Sequence, residues 1–324
     1  MNKTVSIIVP VRNEEKHIAK CLDSILGQDY PKDKMEIVVV DGMSEDGTRK
    51  ILKGYTDTHS NITVLDNLNQ VTPKAFNIGI RNSKGEIITL ISAHSIFAKN
   101  YISKCIEHLY KTGADNVGGI MEHRGEGFIG NAIAFASANK FGLGGAKFRT
   151  AHKAQYVDTV FPGAWPRKTF EKYGFFNDQL IRNQDIEHNA RIRKNGGKIY
   201  FTPEIKCVYF CRSNLKDLWK QNFDNGAWNI KTMKTAPGSL SLRHFVPLIF
   251  VCGLIGSVVF SFFSFCGNTL LLLITGSYLL AVIFFSIKIG LNKGIRYVFI
   301  LPIILITMHF SYGFGGLMAL MRLK

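Results

Sequence analysis

The sequence predicts an α/β domain with a doubly wound mixed sheet, followed by an all-α membrane region. Over about the first 90 residues, short runs of β-branched and apolar residues alternate with segments of helical apolar spacing. The last part, residues 244–324, contains no Asp or Glu and only five Lys or Arg. Residues 1–243 carry the other 35 basic and all 24 acidic residues, so two physically different parts share one chain.

The first part begins with a regular strand–helix pattern. Buried strands are expected where β-branched residues run together, and helices where apolar residues recur every three or four positions. In chain order this predicts strand 4–10, helix His17–Leu26, strand Met35–Val40, helix Thr48–Tyr55, strand Ile62–Leu65, helix Pro73–Arg81 and strand Glu86–Ile91. A further helix is expected near Asp185–Lys194. Sheets of this kind bind ligands at the carboxyl ends of their strands.

Three uncharged apolar runs predict about three membrane helices in residues 244–324. They are Val246–Phe265, Thr269–Ile287 and Tyr297–Leu320, close to the roughly 20 residues that span about 30 Å of hydrocarbon. The glycine-rich segment Ser311–Gly316 is compatible with a break or a re-entrant turn in the third run.

The orientation in the membrane is predicted from the basic residues. Lys288, Lys293 and Arg296 share one loop, and the positive-inside rule places that loop and the first domain in the cytoplasm. The N-terminus has no long apolar region, so we expect no signal peptide.

The segment 206–243 predicts a linker with an amphipathic helix at the membrane surface. It holds seven basic and two acidic residues, with aromatic residues interleaved. We expect a helix over Asn214–Met233 with its aromatic side chains toward lipid and its lysines toward anionic headgroups. Basic, aromatic stretches also bind nucleic acid, but the adjacent apolar run favours lipid, and we expect no nucleic-acid partner. The expected domains are therefore 1–205, 206–243 and 244–324.

Five motifs between residues 4 and 210 occur in the order found in one enzyme family. They are VPVRNEE at Val9–Glu15, VVVDGMSEDGT at Val38–Thr48, KAFNIG at Lys74–Gly79, GEII at Gly85–Ile88, and NQDIE at Asn183–Glu187 ahead of Arg191–Gly197. In this combination the chain resembles the family-2 glycosyltransferases of the GT-A fold. The segments Asn183–Asp185 and Val157–Thr159, with the apolar tail, are most similar to the exopolysaccharide branch of succinoglycan type. The resemblance implies a Rossmann-like nucleotide-binding half.

A nucleotide-sugar site is expected after the first strands. Asp41 ends a strand and precedes Gly42, which suits a carboxylate that accepts bonds from a base or ribose, although this dipeptide alone also fits an ordinary turn. The resemblance implies that the same donor site includes Pro10, Arg12, Glu14, Lys74 and Ser92.

Asp185 is the expected general base, because it lies in the motif where the family carries that group. A base that takes the acceptor proton in a direct displacement gives inversion of configuration. An N-cap carboxylate is the structural alternative for Asp185, and Glu187 is the second candidate for the base. Gln184 stands where the family often has Glu, and we expect it on the acceptor side.

The metal motif departs from the family. Where the family has D-x-D, or D-A-H in the exopolysaccharide branch, this chain has Ser92-Ala93-His94. A hydroxyl replaces a carboxylate, so Mn²⁺ or Mg²⁺ loses its preferred anionic oxygen. His94 is either the remaining ligand or a structural histidine. Cations that would neutralise the leaving diphosphate instead are Lys74, Arg149 and Lys153.

Residues 118–165 are expected to form the acceptor side. Glycine clusters, including Gly142–Gly145, suit mobile or closely approaching backbone, and Trp165 is a candidate for stacking on a sugar. The segment Gln221–Asn225 lacks the arginine and tryptophan of the Q-x-x-R-W motif of processive synthases, so addition of one sugar is expected.

Together these features predict an inverting enzyme that transfers one sugar from a UDP-sugar or similar donor to a polyprenyl diphosphate-linked acceptor. We expect it in the inner (plasma) membrane with a cytoplasmic catalytic domain, working beside other glycan-assembly enzymes. The alternative is a catalytically idle nucleotide-sugar-binding or scaffold subunit, motivated by Ser92 and Gln184. A transporter is disfavoured because the apolar runs contain no acidic residue, and a dehydrogenase because no G-x-G-x-x-G follows the first strand.

Overall fold

The structure, a computed structural model, describes residues 3–144 and 153–322. Gly145 and Arg149, which belong to the predicted acceptor side and leaving-group cations, lie outside these residues. The chain divides into two compact units, one of Met1–Glu122 with Lys147–Tyr209 and the other of His123–Ala146 with Phe210–Lys324. The larger part of the second unit, Phe210–Lys324, begins near residue 205, the expected end of the first domain. The second unit also includes residues 123–146.

One mixed sheet organises the first unit. Its parallel part has the order β3-β2-β1-β4, formed by β1 (Val5–Val11), β2 (Met35–Asp41), β3 (Ile62–Asp66) and β4 (Ile87–Leu90). The sheet continues from β4 through β8, β6 and β9 to β5, and β7 pairs with β9. The bounds of these strands are β5 Ser95–Phe97, β6 Asn116–Arg124, β7 Gln155–Tyr156, β8 Gly163–Pro166 and β9 Ile199–Phe210. The predicted doubly wound mixed sheet is confirmed, and β1 to β4 lie within one residue of their predicted bounds.

The described helices alternate with strands in the first unit and dominate the second. In chain order they are α1 (Ile18–Leu26), α2 (Thr48–Thr58), α3 (Thr72–Arg81), α4 (Tyr101–Thr112), α5 (Gly127–Ser137), α6 (Lys140–Leu143), α7 (Arg167–Tyr173), α8 (Gln184–Lys194), α9 (Leu215–Thr235), α10 (Val246–Ser261), α11 (Phe265–Lys293) and α12 (Leu301–Met321).

The core of the first unit lies between the parallel strands and the helices that connect them. Nearly every residue of β1 and β2 is buried, as expected for parallel strands covered on both faces. The apolar face of α1 packs on one side through Ile18, Cys21, Leu22 and Ile25. On α3, Gly79 lies so close to β1 that an added Cβ would be 2.3 Å from Cγ2 of Ile8.

Two helical segments of the second unit are long and apolar enough to cross a membrane. They are α11, with a mean hydropathy of 2.4, and Ile295–Met321, with a mean hydropathy of 1.8. The first predicted run forms a shorter helix than expected, because α10 has 16 residues, about 24 Å at 1.5 Å per residue. The run is interrupted where Ser264 caps α11 by accepting a hydrogen bond from the Cys266 N–H.

The glycine-rich segment of the last helix does not break it. α12 continues from Leu301 to Met321. Its glycines instead permit close helix contacts, since a Cβ on Gly315 would lie 1.9 Å from the Phe223 carbonyl oxygen and one on Gly313 would lie 2.5 Å from that of Pro247. Small residues serve the same purpose in membrane helix packing. The predicted third run is therefore helical, and the alternative of a break or a re-entrant turn at Ser311–Gly316 is not found.

Candidate active site

Hydrogen bonds join the loop after β1 to the loop after β2. The Asn13 N–H donates to the Ser44 hydroxyl at 2.9 Å, and the Asn13 side-chain oxygen accepts from the Glu45 N–H at 2.9 Å. The Glu15 carboxylate accepts from the Gly47 N–H at 2.8 Å. Polar residues of the first two motifs therefore hold the carboxyl ends of neighbouring strands together.

Among residues 3–144 and 153–322, four residues other than glycine adopt left-handed backbone conformations, and they lie around this edge of the sheet or before α8. Their φ angles are 53° at Asn13, 58° at Met43, 58° at Gln70 and 63° at Asn183. The first three follow β1, β2 and β3, and the fourth precedes α8. Such conformations are costly for residues with a Cβ and concentrate at functional sites.

Asp41 is completely buried at the end of β2. Its carboxylate accepts hydrogen bonds from Ser44 and, at 2.6 Å, from Nε of Arg49. Arg49 also pairs with Asp66 at the end of β3. Sequence reasoning identified Asp41 but missed Arg49 and Asp66. The signal at Asp66 was a carboxylate that ends a strand, whereas Arg49 lies in the first turn of α2.

Glu14, Ser92 and His94 meet at the neighbouring ends of β1 and β4. Oε1 of Glu14 lies 2.8 Å from Nδ1 of His94, and Oγ of Ser92 lies 3.3 Å from Nε2. Both side chains of the Glu14–His94 contact are mostly buried, with exposures of 19% for Glu14 and 22% for His94. The His94 ring also packs edge-on against Tyr209 at 4.8 Å. Glu14, predicted to bound the donor pocket, is thus engaged with His94.

The arrangement at His94 fits a divalent cation in part. Because Glu14 engages Nδ1, the other ring nitrogen is the one left to act as a ligand, and a carboxylate behind a metal-binding histidine is a common orienting partner. Ser92 adds a neutral hydroxyl oxygen beside that nitrogen. One imidazole nitrogen and one hydroxyl form a weak donor set, which diphosphate oxygens would have to complete.

A second group of potential metal ligands involves Glu107, His108 and Glu204. The Lys104 ammonium lies 2.8 Å from the Glu107 carboxylate and 2.9 Å from that of Glu204. Both carboxylates therefore already share one cation from the chain itself. Sequence reasoning did not identify this group, since its members come from α4 and β9.

The helix α8, which carries Asp185, is anchored to its surroundings by several side chains. Arg191 donates to both carboxylate oxygens of Glu187, at 2.9 and 2.8 Å, and to the Phe175 carbonyl at 2.8 Å. Asn189 donates to Thr159 at 2.8 Å. Asp185 lies in the first turn of this anchored helix and is partly exposed. Glu187 is instead committed to a bidentate pair.

His188, also on α8, is completely buried between aromatic rings. Its ring stacks on Phe170 at 5.1 Å, and its Nε2 lies 3.0 Å from the Gly174 carbonyl oxygen. Burial, assisted by the charge of Arg191, lowers the pKa of His188 to about 3. The imidazole is therefore neutral at physiological pH and packs as part of the core.

The structure does not support the role predicted for Trp165. This residue lies on β8, between β4 and β6, and its side chain is completely buried against Phe170 and Phe176. Neither face of the indole is available to stack on a sugar. Trp165 is a core residue instead.

The remaining predicted residues differ in exposure. Pro10 on β1 and Lys74 in the first turn of α3 are partly buried, and Arg12 is exposed beside Gly42. Gln184 begins α8, and its side-chain oxygen is buried without a hydrogen-bond partner among the described residues. Their roles stay predictions.

Comparisons with known proteins agree on one family and one fold. Residues 6–166 match the profile of glycosyl transferase family 2. The chain is 29% identical over 320 residues to a dolichyl N-acetyl-α-D-glucosaminyl phosphate 3-β-D-2,3-diacetamido-2,3-dideoxy-β-D-glucuronosyltransferase of Methanococcus voltae, covering 96% of this chain and 95% of that protein. It is 24% identical over 311 residues to the succinoglycan biosynthesis protein ExoA of Rhizobium meliloti, covering 95% and 92%.

A solved structure confirms the fold along the whole chain. The mannosyltransferase of Pyrobaculum calidifontis, solved with GDP-mannose and Mn²⁺, superposes with a TM-score of 0.66 at 20% identity, covering 100% of this chain and 89% of that one. The fold is therefore GT-A. The profile match over residues 6–166 and the named relatives identify the protein as a glycosyltransferase with a family-2 domain.

Proposed function

We propose that this glycosyltransferase adds a single sugar, with inversion, from a nucleotide-diphosphate sugar to a lipid-linked acceptor in exopolysaccharide or cell-surface glycan synthesis. The main support is the grouping of Asp41, Glu14 and His94 at the ends of neighbouring strands. Open α/β sheets bind their ligands in the crevice at this edge.

The donor is proposed to be a UDP-sugar. Asp41 would accept bonds from the base or ribose, and Arg49 would keep the buried carboxylate neutralised. Arg12, exposed beside Gly42, is suited to the outer edge of the same pocket. Because the Pyrobaculum calidifontis protein was solved with GDP-mannose, the test of donor identity has to include GDP-sugars.

Asp185 is the proposed general base. The acceptor hydroxyl oxygen bonds to the anomeric carbon while the bond from that carbon to the diphosphate oxygen breaks, and Asp185 takes the hydroxyl proton. This single displacement inverts the anomeric configuration. Glu187 is less suited, because both of its oxygens accept hydrogen bonds from Arg191.

Charge on the leaving diphosphate is proposed to be neutralised by a divalent cation held by His94 and Ser92. Mn²⁺ or Mg²⁺ would supply positive charge to the phosphate oxygens. Within the chain, Lys74 and Lys153 take part in none of the ion pairs of the described residues and are the candidates to add to this charge.

The acceptor is proposed to be a sugar on a polyprenyl diphosphate in the inner (plasma) membrane. The name of the Methanococcus voltae relative specifies a dolichyl-linked sugar phosphate. Two helical segments of this chain suit a membrane, and on α9 Trp219 and four lysines (216, 220, 231 and 234) are exposed while Asn222 and Gly226 are buried. We propose that α9 lies in the interface and that residues 1–205 face the cytoplasm.

Transfer by the full-length chain in nanodiscs tests these proposals. Radiolabelled UDP- and GDP-sugars are offered with polyprenyl mono- and diphosphate-linked sugars, with and without Mn²⁺, and the anomeric configuration of the product is read by NMR. We expect one added sugar with inverted configuration. Retention would contradict the single displacement, repeated addition would contradict single transfer, and donor binding without transfer would favour the idle subunit.

A further inference from the structure

Two cations near the end of α11 rest on aromatic rings. Nζ of Lys293 lies 5.6 Å from the centre of the Phe135 ring. The guanidinium carbon of Arg296 lies 5.1 Å from the Tyr297 ring and 5.8 Å from the Phe128 ring. We call these five residues the basic–aromatic cluster. All of them belong to the second unit.

No carboxylate balances these two charges in the part of the chain that the structure describes. Residues 244–324 contain no Asp or Glu. The ion pairs found among the described residues include neither Lys293 nor Arg296. The aromatic rings shield one side of each cation without supplying a negative charge.

The rings beneath the cations are fixed by packing. Tyr297 is buried, stacks on Phe128 at 5.0 Å with an interplanar angle of 13°, and meets Phe135 edge-on at 5.0 Å. The turn that carries Arg296 is equally constrained, since Gly294 has a φ of 127°. A Cβ on Gly290 would lie 2.3 Å from Cγ2 of Val298. The cluster is thus built on a rigid base.

Large apolar side chains beside the two cations are exposed. Leu291, Ile295 and Phe299 have exposed fractions of 69%, 65% and 82%. They occur next to a helix that is long and apolar enough to cross a membrane. A ligand that contacts both the two cations and these apolar side chains needs an anionic head and a hydrocarbon chain. A free anion has no hydrocarbon chain.

Two simpler explanations account for only part of this arrangement. Cations at the C-terminal end of α11 interact favourably with the helix dipole, and basic loops orient membrane helices. Both effects require only positive charge near the helix end. Neither requires that the cations lie on packed aromatic rings.

We propose that the basic–aromatic cluster binds the phosphate headgroup of an anionic phospholipid. The planar guanidinium of Arg296 suits two phosphate oxygens, and the Lys293 ammonium adds a point charge. The acyl chains would cover Leu291, Ile295 and Phe299. Basic pockets between membrane helices bind lipid headgroups in the same manner. None of its five residues is among those proposed for donor binding or sugar transfer.

Thermal unfolding of the full-length chain in neutral detergent tests the proposal. We expect phosphatidylglycerol to raise the unfolding midpoint and phosphatidylcholine or inorganic phosphate to leave it nearly unchanged. The double variant Lys293→Gln/Arg296→Gln should lose more than half of the shift. The matched variant Lys50→Gln/Lys53→Gln removes two exposed charges from α2 and should keep it.

Native mass spectrometry provides a second measurement should the double variant fail to fold. The single variant Lys293→Gln should retain fewer bound phosphatidylglycerol molecules than the wild type. An undiminished shift in the double variant, an equal loss in the α2 control, or an equal effect of phosphatidylcholine would overturn the site. Stabilisation by polyprenyl diphosphate but not by phosphatidylglycerol would overturn the proposed ligand.

Discussion

Oε1 of Glu14 lies 2.8 Å from Nδ1 of His94, although 80 residues separate them in sequence. A carboxylate accepts hydrogen bonds, so this contact places the proton of a neutral His94 ring on Nδ1. Nε2, beside Ser92, then carries the free lone pair. Glu14 thereby determines which nitrogen of His94 is left for the proposed cation.

Replacing Glu14 should lower the affinity of the proposed site for Mn²⁺ and with it the transfer rate. Loss of the orienting partner of a metal-binding histidine costs about 10–100-fold in metal affinity or activity. We expect a loss in this range for Glu14→Ala and a smaller one for Glu14→Gln, whose amide oxygen still accepts a hydrogen bond. Mn²⁺ titrations followed by electron paramagnetic resonance and by transfer rate measure it.

The matched control for Glu14 is Glu15→Gln. The Glu15 carboxylate accepts from the Gly47 N–H rather than from His94, so this variant should keep the Mn²⁺ affinity of the wild type. If Glu14→Ala binds Mn²⁺ as tightly as Glu15→Gln does, Glu14 does not position His94 for a metal.

Substitutions of the two acidic residues at the start of α8 should differ in effect, one lowering the transfer rate and the other the stability. Asp185→Asn removes the proposed base and should lower the transfer rate by about 10²–10⁴-fold at nearly unchanged stability. Glu187→Gln breaks the bidentate pair with Arg191 and should cost about 1–3 kcal/mol of the free energy of unfolding, with a smaller effect on rate. Steady-state kinetics and thermal unfolding of both variants give the comparison. The reverse pattern would make Glu187 the base.

The first strands and the doubly wound sheet were predictable, because β1 and β2 are apolar along nearly their whole length and are buried on both faces. Asp41 was predictable for the same reason, as the residue that ends such a strand. The side chains that contact these strand-end residues were not predictable from the sequence. Arg49 reaches Asp41 and Asp66 through side-chain conformations, and Glu14 meets His94 only after β1 and β4 pair.

Trp165 shows a second limit of local patterns. Its burial depends on β8 pairing antiparallel with both β4 and β6, strands that begin about 80 and 50 residues earlier in the chain. The neighbouring Pro162-Gly163 pair is instead typical of mobile or closely approaching backbone. The end of α10 before the end of the predicted run was easier to predict, because Ser264 is a favourable N-cap within an otherwise apolar run.

Gly79 should be intolerant of a methyl group, unlike a glycine on a neighbouring helix. In Gly79→Ala the new Cβ would lie 2.3 Å from Cγ2 of Ile8 and 3.3 Å from Cγ2 of Val40, so the packing of α3 on β1 must shift. We expect a loss of about 1–3 kcal/mol in the free energy of unfolding. Thermal unfolding of the purified variant provides the measurement.

The control for this variant is Gly54→Ala on α2. No atom lies within 4 Å of a Cβ added at Gly54, so alanine should stabilise that helix by about 0.5–1 kcal/mol. Equal effects of the two substitutions would mean that helix propensity, and not the contact with Ile8, controls the result at Gly79.

His188 should make the first unit less stable as the pH falls below neutral. Its pKa is lowered from 6.5 to about 3 by burial, so below pH 6.5 the unfolded chain binds a proton that the folded chain does not. The stabilisation is complete above pH 6.5 and is lost progressively toward pH 3, by up to about 1.4 kcal/mol per pH unit. We expect unfolding curves between pH 6.5 and 5 to show a steeper loss for the wild type than for His188→Gln, which cannot titrate but keeps a donor for the Gly174 carbonyl. Parallel curves would mean that the imidazole reaches solvent and is protonated in the folded state.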